Sequence, residues 1–322
     1  SSYSNDTMAY GITNESGSLT ATGATLTVTA NGGGSGDNGS SNVMACGVSY
    51  GGDDTTVMTL NGPLNLKVTA NGGTTSATGY LSAEAYGIST FGEAALKLQD
   101  VSGTVTANIN VTGASSYNYV LADGFVSYSD ITVADVDLTV NAANKLAAND
   151  NGIEAFGLDA EDGSKIQVNG KALIKTGVTT SGSDREYFKA NSLLASGDES
   201  TLNVGTDGAQ SLGKQVQLEG DVQAYNGGVI NLTLDGPESY LQGNVQTTAT
   251  STNTGNTYTA GTVNMTVTGG ATWKPVYDNR YGSLNKVEAT DIDSGTTSTY
   301  DTKAQSYAFA NNSIGTLTLS NG

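Results

Sequence analysis

Ala9-Tyr10-Gly11-Ile12-Thr13, Ala45-Cys46-Gly47-Val48-Ser49 and Ala85-Tyr86-Gly87-Ile88-Ser89 are three copies of one string. Looser copies follow at Ala122-Asp123-Gly124-Phe125, Ala155-Phe156-Gly157-Leu158 and Ala195-Ser196-Gly197-Asp198. Successive central glycines lie 36, 40, 37, 33 and 40 residues apart. A second string trails the first, as Thr27-Val28-Thr29-Ala30-Asn31, Lys67-Val68-Thr69-Ala70-Asn71 and Thr104-Val105-Thr106-Ala107-Asn108, with Leu138-Thr139-Val140-Asn141 as a shorter copy. Two markers recurring in one order at one rough period define a repeat array. In such an array each unit buries its apolar side against its neighbours.

Within a repeat the apolar residues alternate with polar ones, which is strand periodicity. Met8, Tyr10 and Ile12 alternate in the first repeat, then Leu26 and Val28 after the turn cluster Asn14-Glu15-Ser16-Gly17. Met58 and Leu60, then Leu64, Leu66 and Val68, repeat the layout after Asn61-Gly62. Later repeats offer Val105, Ile131 with Val133, Leu138 with Val140, Ile166 with Val168, and Leu202 with Val204. About three short strands per period, with no helical pattern between them, predict an all-β chain: a right-handed parallel β-helix, one coil per repeat. A β-propeller would need four antiparallel strands per blade, and a leucine-rich solenoid a Leu-x-x-Leu-x-Leu frame. The sequence carries neither signature. Coils spaced by about 4.8 Å stack equivalent side chains into ladders. Leu26, Val28, Leu66, Val68, Val105, Leu138 and Val140 are the expected inward residues. The Tyr10, Cys46, Tyr86 and Phe156 column, with Asp123 in the same slot, is expected to face the interior beside Ile12, Val48 and Ile88.

Composition agrees. The chain of 322 residues holds 43 glycines but 3 prolines, so turns abound while almost every backbone N–H remains free to join a ladder. Its net charge of −18 argues against nucleic acid and against anionic lipid as partners. Cys46 is the single cysteine, so no intrachain disulfide forms, and its slot predicts a packed small residue rather than a reactive thiol. No apolar run approaches the length of a membrane helix, and no membrane insertion of this segment is expected. The chain opens without a basic-then-apolar leader, which implies a removed signal or an excised piece.

After residue 226 the rhythm changes. Gly227-Gly228-Val229-Ile230-Asn231-Leu232-Thr233-Leu234 leads to Glu238-Ser239-Tyr240-Leu241, then to Gly269-Gly270-Ala271-Thr272-Trp273, and the chain closes on Ser313-Ile314-Gly315-Thr316-Leu317-Thr318-Leu319. This order resembles the distal end of the passenger of a Gram-negative type V autotransporter. There a Gly-Ala-x-Trp strand and a Ser-Val/Ile-Gly-x-Leu-x-Leu strand form the last rungs before the translocating barrel. The resemblance implies one continuous β-helix, with repeat-bearing coils over 1–225 and closing rungs over 226–322. It also implies export and display on the cell surface of a Gram-negative bacterium, or release. The barrel itself is missing, so a passenger or a piece of one is expected. Lys274 to Asn312 departs from the family's short link and looks like an insertion.

Chemistry is sparse. With no histidine, a Ser-His-Asp triad and a His-paired cysteine are impossible in this chain, and no zinc ligand set exists. No cofactor or metal is expected. Gly33-Gly34-Ser35-Gly36-Asp37-Asn38 approaches a calcium repeat but ends on Asn38 and occurs once. Carboxylates remain: Asp53 with Asp54, and Asp159 with Glu161 and Asp162, could serve a glycosidase or lyase, which needs two carboxyl groups with one pKa raised. Acidic residues in turns are more often solvated turn formers. Two functions stay open. One is a non-enzymatic adhesin, self-association module or stalk, whose partner is a host surface glycan, a matrix protein or another copy of itself. The other is a carbohydrate-active β-helix enzyme, which a groove of carboxylates and aromatics across the coils would favour. Trp273, Tyr277, Arg280, Tyr281, Tyr300 and Tyr307 in and beside the insertion are the candidate binding anchors, because aromatic and arginine side chains dominate contact surfaces. They could equally cap the last rungs.

Overall fold

A computed structural model describes residues 4–32, 40–53, 55–72, 80–109, 117–144, 150–180, 188–248, 260–275, 287–290, 297–300 and 316–319. Among them there is no helix, and every pairing between strands of the stack is parallel. The chain is a parallel β-helix. One strand of each coil enters an eight-stranded sheet, running Ser4–Asn14, Ser40–Gly52, Tyr80–Gly92, Tyr117–Ser127, Asp150–Glu161, Phe188–Ser196, Asp221–Tyr225 and Val245–Thr248. The other two strands of each coil enter a fifteen-stranded sheet as two parallel columns. In the coils of Leu96–Ile109 and Ile131–Asn144 those two columns fuse into single long strands, so the three-strand coil expected from the sequence becomes two-stranded there.

The main core runs through the stack from Val28 to Met265. Val28, Leu66, Val68, Val105, Leu138 and Val140 are buried as expected, and Leu26 packs against them partly covered. The pairings set the repeats in register: Ala9 lies over Ala45, Ala45 over Ala85, and Ala85 over Ala122. The second string behaves likewise, with Thr29 over Thr69 over Thr106.

The repeating glycine is demanded by space. A Cβ on Gly47 would lie 2.6 Å from the Gly87 carbonyl oxygen, one on Gly87 2.4 Å from that of Gly124, and one on Gly124 2.3 Å from that of Gly157. Each would also meet a core side chain, Val68, Val105 and Leu138 respectively. The glycine also shifts the phase of the strand, since Ala45 and Val48, three apart, both join the core.

Two expectations are corrected here. The sixth copy of the string is not at Gly197. Phe156 pairs with Asn191 and Leu158 with Leu193, so Ala190-Asn191-Ser192-Leu193 occupies that level, and Gly197 (φ 93°) lies in the following turn. A side chain fits at Ser192 because the next strand is one residue shorter opposite it: Asn191 pairs with Asp221 and Leu193 with Val222. The Ser192 hydroxyl reaches the Gly220 and Asp221 carbonyls. The second correction concerns the column of Tyr10, Cys46, Tyr86 and Phe156. The phase shift at the glycine sends Ile12, Val48 and Ile88 inward and leaves this column on the outer face of the eight-stranded sheet. Tyr10 is 48% exposed, and Phe156 and Tyr86 belong to a second apolar cluster with Leu121, Leu194, Tyr119 and Tyr225.

The closing strand Thr316–Leu319 pairs in parallel with Thr262–Thr268, and Thr272–Lys274 with Tyr240–Gln242. Val287–Thr290 and Thr297–Tyr300 pair antiparallel within the segment marked as an insertion.

Candidate functional site

Two outward columns pair amide with amide. Asn71 donates to Asn31 (2.8 Å) and Asn108 to Asn71 (3.1 Å). A second amide ladder runs from Asn203 onto Gln167, Asn231 onto Asn203, and Asn264 onto Asn231 at 2.8–3.0 Å. Amides suit such ladders because each carries both a donor and an acceptor.

The outer face of the eight-stranded sheet breaks this pattern. Asp123 lies between Tyr86 and Phe156 in its column, and Asp159 lies between Val126 and Leu194 in its own. Each acid thus has apolar groups above and below it, and each is 2% exposed. The Oδ1 atom of each is buried without a hydrogen bond. Both line a cavity of about 300 Å³ with Tyr86, Tyr119, Leu121, Tyr128, Glu154, Phe156 and Glu161. It spans three consecutive strands, Tyr80–Gly92, Tyr117–Ser127 and Asp150–Glu161, and so crosses the coils.

Local sequence opens this groove. The strand Asp150–Glu161 bulges between Asp150 and Ile153, and Gly152 (φ 153°) lies under the ring of Tyr119, where a Cβ would meet its Cδ2 at 3.1 Å. The Tyr119 hydroxyl donates to Glu154 Oε2 at 3.2 Å, and the Tyr86 hydroxyl to Glu84 Oε2 at 2.8 Å. Lys189 forms an ion pair with Glu154 at 2.8 Å. The rim carboxylates Glu84 and Glu154 are therefore partnered, in contrast to the free oxygens on the floor.

Electrostatics follow from this packing. Burial, and then the charges of Glu161, Glu154 and Glu84, push the Asp123 carboxyl well above the usual range. Burial, then Asp123 and Glu161, do the same to Asp159. Burial and, after it, Glu84 or Glu154 keep the Tyr86 and Tyr119 hydroxyls protonated. The floor is thus a pair of buried acids whose protonated form is favoured by burial and by the carboxylates around them, flanked by aromatic rings.

Of the residues singled out from sequence, Asp159 and Glu161 come together in this groove. Asp162 turns away, exposed at φ 50°. Asp53 is a turn former: its Oδ1 accepts from the Thr55 N–H at 3.0 Å, and hydrogen bonds from Thr55 lower its pKa. Asp54 lies outside the described residues, as does the loop 33–38. Cys46 is buried, its thiol pushed up to about 12 by burial, and it donates to the Val48 carbonyl at 3.3 Å. Trp273 is half-buried against the core, and its Nε1–H donates to the Gly243 carbonyl at 3.0 Å, as a capping residue would. Tyr277, Arg280, Tyr281 and Tyr307 lie outside the described residues, and Tyr300 is described only as a strand residue opposite Val287. Asp123, the acid that sequence reasoning missed as a site residue, was visible as a carboxylate in the slot that holds Tyr86 and Phe156 in the neighbouring repeats.

Among the described residues no set of His, Cys, Asp and Glu is arranged to hold a metal ion. Fold and groove together define a β-solenoid with an acidic, aromatic lateral site. No family model, curated protein or solved structure matches this chain.

Proposed function

We propose that the chain is a non-enzymatic passenger of the autotransporter kind, displayed on or released from a Gram-negative surface, and acting as an adhesin, self-association module or rigid stalk. The observation that carries this reading is the in-register stack with outward hydroxyl and amide ladders such as Asn31, Asn71 and Asn108. A continuous parallel stack is stiff, because every coil is hydrogen-bonded to the next along its length. Rows of Thr and Asn at one spacing offer repeated donors and acceptors to a second copy or to a host glycan or matrix protein. A pI of about 4.1 opposes nucleic acid.

The test is adhesion by the purified chain on beads. Clumping of coated beads, or capture of host glycans or matrix proteins, is expected; a surface that does neither refutes adhesion and self-association by this chain and leaves it at most a stalk. A second reading, a carbohydrate-active β-helix enzyme, is favoured by the buried pair Asp123 and Asp159 in an aromatic groove. Release of reducing ends from a polysaccharide, abolished by Asp159→Asn, would select it.

A further inference from the structure

We propose that the groove on the outer face of the eight-stranded sheet binds a neutral glycan, with Asp123 and Asp159 hydrogen-bonding the hydroxyl groups of a sugar whose ring stacks on the tyrosines of the rim. This inference rests on the groove alone and not on the display reading, so either can fail without the other.

The first support is a local inconsistency. Stacked coils favour like residues in a column, and this column holds Tyr86 above and Phe156 below an acid. An apolar residue at 123 would pack with both. Sites where local choices conflict with the fold are where function is expected. The second is the pair of unpartnered oxygens. Buried polar atoms are nearly always hydrogen-bonded, so Asp123 Oδ1 and Asp159 Oδ1, both lining the cavity, ask for an external partner. Contrast Glu219 on the fifteen-stranded sheet: it meets Lys175 at 2.6 Å and accepts from Tyr240 at 3.2 Å, and needs nothing further.

The chemistry of the ligand follows. A carboxyl oxygen that is buried without a partner accepts a hydrogen bond from a sugar hydroxyl, and burial among other carboxylates disfavours the charged form that a cation would need. The net charge of −18 and the neighbouring Glu84, Glu154 and Glu161 repel uronates, sulfates and phosphates. Tyr119 is half-buried and Tyr128 exposed, so ring surface remains available at the rim. A cavity of about 300 Å³ admits a sugar ring and is open to solvent across the coils.

The experiment is affinity electrophoresis of the full chain in native gels containing xyloglucan, galactomannan, soluble starch or polygalacturonate. At least one neutral polymer is expected to retard the protein, and polygalacturonate not to. The double variant Asp123→Phe, Asp159→Leu copies the apolar neighbours in each column. It is expected to fold with a raised melting temperature and to lose at least about ten-fold in affinity, equivalent to roughly 1.4 kcal/mol. Asp123→Asn, which copies Asn191 of the same column, is the milder second variant and is expected to weaken retardation without unfolding. No retardation by any neutral polymer, equal retardation of wild type and variants, or equal retardation by polygalacturonate would each overturn the proposal.

Discussion

Gly87→Ala tests the glycine ladder. The added Cβ would sit 2.4 Å from the Gly124 carbonyl oxygen and 3.0 Å from Val105 Cγ2. An ordinary close C···O contact is about 3.3 Å, so the coils must separate locally by about 1 Å. They are held at about 4.8 Å by hydrogen bonds on both sides, so the strain is not relieved by a side-chain rotation. Overpacking of this kind costs about 1–3 kcal/mol. Alanine's smaller unfolded-state entropy offsets about 0.5–1 kcal/mol of that. The net expectation is a loss of about 1 kcal/mol. Gly177→Ala is the control, because its Cβ would meet only the end of the Asn141 side chain at 3.0 Å, which can swing aside; a gain of about 0.5 kcal/mol is expected. Urea unfolding followed by far-UV circular dichroism reads both. With a slope of about 2 kcal/mol/M, Gly87→Ala lowers the midpoint by about 0.5 M. A Gly87→Ala midpoint at or above that of wild type would show that the coils do not approach this closely at the glycine.

The remaining predictions concern buried groups. Replacing the unsatisfied acids by Asp123→Phe and Asp159→Leu should stabilise the fold by about 1–3 kcal/mol at each site, measured by thermal or urea unfolding at neutral pH. The pH dependence has a definite sign. Both acids are raised above the usual aspartate value of 3.8 in the folded state, by burial first, and then by Glu161, Glu154 and Glu84 at Asp123 and by Asp123, Glu161 and Glu154 at Asp159, with Glu154 paired to Lys189. Their stabilising contribution is therefore complete below that value and is lost as pH rises through the raised folded values. On acidification from neutral pH the wild type should gain stability relative to the apolar double variant; an unchanged difference would place both acids in solvent. Cys46 should resist iodoacetamide in the native protein at about pH 8 and react only on unfolding, as mass spectrometry would record. Trp273→Phe removes the hydrogen bond to Gly243 and should cost about 1 kcal/mol in urea unfolding.

The repeat period and strand alternation were enough to place the β-helix and its core, because stacking makes the same positions recur at every level: Val68, Val105 and Val140 are inward for one reason. Alternation failed at the glycine, where the phase slips and Ala45 and Val48 both turn inward. For that reason Tyr10 and Tyr86 were assigned to the wrong face, although the column itself was correctly aligned. The sixth repeat was misplaced because Ser192 stands where a glycine was sought, and only the shortened neighbouring strand explains why a side chain fits. The groove was half legible. Asp159 and Glu161 were visible as an acidic pair, but their meeting with Asp123 depends on pairing across a coil and on the facing of the strand, which local sequence does not state.

Carbon-13 NMR of the aspartate carboxyl groups, followed from acid to neutral pH, tests the central claim most directly: this solenoid carries two buried acids on its outer face, each with one oxygen that has no hydrogen-bond partner. Asp123 and Asp159 should hold their protons well above the usual aspartate range, while Asp53 titrates below it. Titration of both groups within the usual aspartate range would contradict the claim, and with it the groove as a binding site.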